Sequence, residues 1–233
     1  MHNLIMWIDA FFLTYFLLLN NFYTLLTILT IFALHRRNKE YNCEDLNQLM
    51  RFDIEPPAVT IIMAAYNEQK VILESVQAAL NVEFAYINII VVNDGSTDQT
   101  LQTLIDHYQL TPVPPAIPAH LKTAPVKQLY RSKLYPNFMV VDKENGGRED
   151  ANNAGVNACA TPYFVGVDAD SFIEPDALSR FMQHLLTIKD TCAMGGALRI
   201  VNGCVIKNGR IEQVHFPKSW FGKMQIIEYM RRV

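Results

Sequence analysis

The chain has 233 residues, half of them hydrophobic, and a net charge of −3. That length holds one domain of ordinary size plus an extension, and the slight acidic excess gives no reason to expect nucleic acid as a partner, since a groove for phosphate backbones needs a basic excess. Its four cysteines (Cys43, Cys159, Cys192, Cys204) form no C-x-x-C pair and no zinc-finger spacing with histidine, so they read as buried thiols of a reducing compartment.

The first element is an uncharged run from Phe11 to Leu34. At about 24 residues it is long enough to cross a ~30 Å hydrocarbon core as a helix. Its polar members, among them Asn20 and Asn21, can find partners within a helix. A secretory signal fits worse: no Lys or Arg precedes the run, the run is too long, and no small-residue cleavage site follows. His35, Arg36, Arg37 and Lys39 follow the span, whereas only His2 and Asp9 precede it. The excess of positive charge puts the N-terminus outside a cell (inner) membrane and the rest in the cytoplasm. This gives an anchor over 1–37, a connector over 38–56 and a folded domain over 57–233.

Within that domain, residues 58–64 (AVTIIMA) form an apolar run suited to a buried strand. A helical spacing follows over 67–80, then a second buried strand at 87–92 (INIIVV). Thr97 and Asp98 are placed to cap a helix reaching about Tyr108. Five of the eleven prolines fall in 111–125, which reads as a loop. A strand at 138–141, a helix near 150–159, a strand at 163–167 and a helix from about Pro175 complete the alternation. Alternating β and α with buried strands predicts an α/β fold, a mostly parallel sheet flanked by helices.

Ligands of such sheets bind beyond the carboxyl ends of the strands, and the polar clusters of this sequence sit there. They are Tyr66-Asn67-Glu68, Asp94-Gly-Ser, Glu144 to Arg148, and Asp168-Ala-Asp170. Residues two apart in extended backbone point the same way, so Asp168 and Asp170 can share one ligand. Two hard oxygen donors with water and a diphosphate suit octahedral Mg²⁺ or Mn²⁺, which would neutralise a leaving nucleoside diphosphate. A bare D-x-D is usually a surface turn; its place directly after an apolar strand favours the metal. Asp94 is either ordinary Asp–Gly turn chemistry or an acceptor for a base or ribose. Gly146 and Gly147 allow close backbone approach, and Arg148 offers a bidentate phosphate contact, although Gly-Gly-Arg alone is commonly a plain loop. His107, His120, His184 and His215 lack metal-ligand spacing, and neither G-x-G-x-x-G nor the phosphate loop G-x-x-x-x-G-K-[ST] is present.

Taken together, TIIMAAYNE (60–68), IIVVNDGSTD (89–98), VVDKENGGREDANNAG (140–155) and YFVGVDADSFIEPDAL (163–178) resemble the family 2 glycosyltransferases of GT-A fold. The preceding span is similar to the membrane-bound branch that includes cellulose, hyaluronan and poly-N-acetylglucosamine synthases. The resemblance implies that Tyr66, Glu68 and Asp94 line a uridine pocket. It implies that Arg148 replaces the usual lysine near the diphosphate, and that Asp170 is the direct metal ligand of the Asp168–Asp170 pair. Ala64 stands where the family usually has proline, and Glu149 where it has a small residue.

The same resemblance places the catalytic base, an acidic residue of a T/E-D motif, beyond Val233. The expected partners are a nucleotide-sugar donor, a glycan or lipid-linked acceptor, and the membrane. The expected reaction is inverting transfer from a UDP-sugar in polysaccharide or glycoconjugate synthesis. The competing expectation is a truncated or split subunit that binds donor or associates with a complete synthase. A nucleotidyltransferase shares metal-binding aspartates, but the basic glycine-rich loop it would need is missing.

Overall fold

The computed structural model describes residues 2–40, 56–187, 191–196, 200–201, 203–207 and 210–230. The chain divides into two compact units, Met1–Ile54 and Glu55–Val233.

The described residues of the first unit form one helix, α1 (His2–Glu40). Ile5–Phe32 is long and apolar enough to cross a membrane, and its side chains are exposed almost throughout. Its polar side chains turn inward to the helix's own backbone. Thr14, Thr24, Thr27 and Thr30 each donate to the carbonyl four residues earlier at 2.8 Å, and the Asn20 and Asn21 amides do so at 2.9 and 2.8 Å. These bonds occupy the threonine hydroxyls and one N–H of each asparagine amide, which lowers the cost of placing such groups in hydrocarbon. The expected connector starts inside α1, which runs to Glu40; 41–55, with Cys43, lie outside the described residues.

The second unit follows the alternation in order: β1 (Val59–Ala65), α2 (Ile72–Leu80), β2 (Ile87–Asp94), α3 (Thr100–Tyr108), β3 (Leu110–Val113), β4 (Val126–Ser132), β5 (Phe138–Lys143), α4 (Arg148–Ala158), β6 (Tyr163–Asp168), α5 (Ala177–Thr187), the short hairpin β7 (Val205–Lys207) and β8 (Arg210–Gln213), and α6 (Trp220–Met230). The main sheet runs β3-β4-β5-β2-β1-β6. Strands β5, β2, β1 and β6 are parallel, while β4 and β3 continue the sheet antiparallel.

Alternation along the strands divides two cores. Ile61 and Met63 of β1, Ile89 and Val91 of β2, and Phe138 and Val140 of β5 pack with α2, α3 and α5. The opposite residues, Ile62, Ile90, Val92 and Val141, pack with Ala151 and Ala154 of α4. Burying each large aliphatic side chain contributes about 1.5–3 kcal/mol, so together they hold the helices on both faces.

Three expectations are corrected. The proline-rich stretch is not all loop, because Leu110–Val113 forms β3 at the sheet edge, where Pro112 is tolerated since an edge strand has one unpaired side. The strand at 163–167 is not buried: it lies at the other edge of the described sheet, with Phe164 55% exposed. The thiols are not core residues either, Cys159 and Cys204 being half-buried and Cys192 exposed.

Candidate donor-binding site

Parallel register aligns the four strand ends. Ala65 faces Asn93, Ala64 faces Asp168, and Asp94 faces Lys143. The loops that follow β1, β2, β5 and β6 therefore start at one level and share one rim.

The first two loops are stitched together. Asn67 adopts a left-handed backbone (φ 58°), which asparagine tolerates better than most residues. This turns its Oδ1 toward the loop after β2, where it accepts from the Thr97 N–H at 2.8 Å and the Asp98 N–H at 3.3 Å. In return Asn67 N–H donates to Ser96 Oγ at 3.0 Å, and Glu68 N–H to Thr100 Oγ1 at 2.9 Å. Asp98 accepts from the Thr100 and Gln69 N–H groups. Burial alone would raise the Asp98 carboxyl, yet the hydrogen bond from the Thr100 hydroxyl, then those from the Thr100 and Gln69 N–H groups, hold it below the usual carboxylate range. The expected cap is corrected: the N-cap of α3 is Gln99, which makes no side-chain cap bond, and Asp98, one position earlier, accepts from the first helical N–H, that of Thr100. Tyr66 stands exposed at the end of β1, and Glu68 is half-buried. Burial first, then Asp170 and Asp98, push the Glu68 carboxyl upward, so Glu68 and Asp170 lie within electrostatic reach of each other.

Asp94 is turned inward, with its side chain 4% exposed. Its Oδ1 accepts from Lys143 Nζ at 2.6 Å and from Gly146 N–H at 3.0 Å; its Oδ2 accepts from Gly147 N–H at 2.8 Å. The Asn145 amide donates to its carbonyl at 2.9 Å. Lys143, fully buried, also donates to the Glu144 carbonyl at 2.6 Å and to Asp150 Oδ1 at 2.5 Å. Burial lowers the ammonium's pKa, but the bonds to Asp150 and Asp94 outweigh it and raise the group overall. Asp150 is shifted down: burial opposes this, and Lys143 with the Ala124 N–H prevails.

This cluster explains both glycines. A Cβ on Gly146 would run into the Asp150 carboxylate, and Gly147 has φ 91° at the start of α4. On the other sheet face Asn93 donates to Asp142 Oδ1 at 2.7 Å, while its buried Oδ1 meets no donor.

Arg148, leading α4, forms an ion pair with Asp168. Both side chains are substantially exposed, so the pair contributes little stability. A diphosphate would compete well for the same guanidinium because it accepts two parallel N–H bonds. Asp168 is half-buried and Asp170 exposed, on either side of buried Ala169. Among the described residues no three acidic, His or Cys side chains form a complete metal cage. The donor set, two carboxylates with Glu68 near by, fits a hard divalent cation whose remaining positions are diphosphate and water oxygens.

All six residues singled out in the sequence thus border the rim, with Asp94 beneath its surface and the others on it. Lys143 and Asp150 join the site with little signal in the sequence. A charge in a polar loop usually reads as solvated, and only the parity of Lys143 with Val141 in β5 pointed inward.

A model of glycosyl transferase family 2 matches residues 60–229, and the chain belongs to that family. Chondroitin synthase of Pasteurella multocida (strain Pm70) is 31% identical over 156 residues, covering 66% of this chain and 14% of that protein. Poly-beta-1,6-N-acetyl-D-glucosamine synthase of Staphylococcus aureus (strain COL) is 26% identical over 176 residues, 75% of this chain and 33% of the other. Among solved structures, the mannosyltransferase PcManGT from Pyrobaculum calidifontis, in complex with GDP-Man and Mn²⁺, aligns with a TM-score of 0.41. Its identity is 20%, over 57% of this chain and 36% of that one. The chain spans well under half the length of these relatives.

Proposed function

We propose that the chain is the donor-binding part of a membrane-anchored, inverting glycosyltransferase that uses a UDP-sugar for polysaccharide or glycoconjugate synthesis. The observation that carries this is the alignment of Tyr66, Glu68, Asp94, Arg148, Asp168 and Asp170 on one rim by four parallel strands, within the segment matching the family. Tyr66 offers an aromatic face to the base. A carboxylate has about four lone-pair sites, and Asp94 spends three on Lys143, Gly146 and Gly147. The fourth, on Oδ2, accepts an imide N–H such as that of uracil. Arg148 leaves Asp168 to hold the diphosphate.

Asp168 and Asp170 would hold Mg²⁺ or Mn²⁺, with Asp170 the direct ligand, and the ion would supply charge neutralisation for the departing diphosphate. In the transfer an acceptor hydroxyl of a glycan or lipid-linked saccharide attacks the anomeric carbon. The bond to the diphosphate breaks, and a base takes the hydroxyl proton. Neither Glu212, paired with Lys207 at 3.1 Å, nor Glu228 on α6 is placed in this role; the base is assigned to no residue of this chain. Arg36, Arg37 and Lys39, in the last turns of α1 beyond the apolar span, orient the domain toward the cytoplasm, where nucleotide sugars are made.

A second reading is a donor-binding or interaction subunit of a larger synthase. It draws support from Trp220, Phe221, Met224 and Ile227 of α6, which stand 50–80% exposed, an apolar surface of the kind another polypeptide covers. Calorimetric titration of UDP into the full chain in detergent micelles, with and without Mn²⁺, tests the leading reading. Metal-dependent binding that is lost in Asp170→Ala is the expected result. A folded chain that binds no UDP overturns it and favours the interaction subunit.

A further inference from the structure

We propose that Lys143 and Asp150 are positioning residues that set base selectivity at the donor site, by presenting Asp94 with a single open acceptor position. This rests on the nucleotide reading above and assigns a role to two side chains that it does not use.

Lys143 has three N–H donors, and the structure spends them on Asp94 Oδ1, the Glu144 carbonyl and Asp150 Oδ1, all within 2.6 Å. The contacts come from the carboxyl end of β2, the first residue after β5 and the first turn of α4, and the lysine side chain is fully buried. An ammonium bound on three sides cannot turn, so it fixes the orientation of the Asp94 carboxylate plane.

Asp150 does the complementary work. Its Oδ1 takes Lys143, and its Oδ2 accepts the Ala124 N–H at 2.9 Å, which ties the start of α4 to the segment before β4. Its carboxyl group also occupies the space beside Gly146 that a Cβ would need. Glycine at 146 leaves room for that carboxyl group, and the N–H groups of 146 and 147 reach Asp94 Oδ1 and Oδ2.

The consequence is directional. With Oδ1 saturated and one lone pair left on Oδ2, Asp94 offers an acceptor and no donor. A base presenting an N–H at that edge, as uracil does, is bound; one presenting a bare ring nitrogen, as cytosine does, meets two facing acceptors and is rejected. A buried polar group left facing its own kind discriminates more strongly than a missing apolar contact. If Lys143 is removed, the carboxylate is free to turn and the glycine loop loses its anchor, so the distinction between the two bases fades.

The test uses the full chain in detergent micelles with Mn²⁺, titrated with UDP and with CDP, as wild type, Lys143→Met and Asp150→Asn, with folding checked by circular dichroism. Wild type is expected to bind UDP at least about tenfold more tightly than CDP, because charge-assisted hydrogen bonds carry this much. In Lys143→Met the UDP affinity falls and the UDP:CDP ratio approaches one; Asp150→Asn, nearly isosteric, moves the ratio the same way by a smaller factor. If Lys143→Met does not fold, Asp150→Asn decides. A folded variant that keeps the wild-type ratio, or weakens both nucleotides equally, shows only a structural role and overturns the inference. Wild type without UDP preference overturns the nucleotide reading itself, a different outcome.

Discussion

The junction between the loops after β1 and β2 rests on Asn67, and its contribution can be separated into two parts. One is backbone: at φ 58° an alanine is strained where glycine is not, by about 1 kcal/mol. The other is the Oδ1 acceptor, which serves the Thr97 and Asp98 N–H groups. Asn67 is exposed, so water replaces part of what is lost, and the pair together contributes about 1 kcal/mol, the low end for two such bonds. Asn67→Gly then costs about 1 kcal/mol and Asn67→Ala about 2 kcal/mol. For a domain of this size that corresponds to falls of roughly 2–4 °C and 4–8 °C in Tm. Thermal unfolding of the full chain in micelles, followed by circular dichroism, measures both. Equal Tm values for the two variants would show that the left-handed backbone carries no cost. A wild-type Tm for Asn67→Gly would show that the two loops are not held by this side chain.

Two further outcomes follow from the same geometry. Arg148→Ala should leave stability within about 0.5 kcal/mol, because its pair with Asp168 is exposed. The same change should weaken UDP by about tenfold or more through the lost bidentate contact, which calorimetry reads directly; unchanged affinity would remove Arg148 from the site. Stability should also depend on pH at both extremes. Asp98 and Asp150 titrate below the ordinary aspartate value of 3.8, so their stabilisation is complete above that value and is lost as the pH falls through the lower folded-state values. Lys143 titrates above its ordinary 10.5, so its contribution is complete below that value and disappears as the pH rises past it. An Asp150→Asn variant with the same acid limb as wild type would contradict this assignment.

Much of this architecture is legible in the residues alone. Runs such as 87–92 are β-branched and apolar without alternation, which only a strand covered on both faces can satisfy, and parallel strands joined by helices follow from that. Once the strands are parallel, the polar residues after them must gather at one rim, so Tyr66, Glu68, Arg148, Asp168 and Asp170 could be named without coordinates. The span of α1 is likewise a matter of length and composition. The antiparallel extension was harder to see. In β4 exposed Lys127 and Arg131 share a face with buried Leu129, so the segment has no clean alternation and is easily taken for loop, and Pro112 disguises β3.

What the tertiary structure decided is which polar groups face the ligand and which face each other. Asp94 and Asp170 are alike as letters, each following an apolar strand. A carboxylate's role depends on the donors that reach it, and those come from distant parts of the chain. The donors to Asp94 arrive from β5 and the turn into α4, about fifty positions away, and those to Asp150 from Lys143 and from Ala124 in the proline-rich segment. Local sequence reports propensity and burial, which are properties of neighbours in the chain. The hydrogen-bond partners of a buried charge are neighbours only in space.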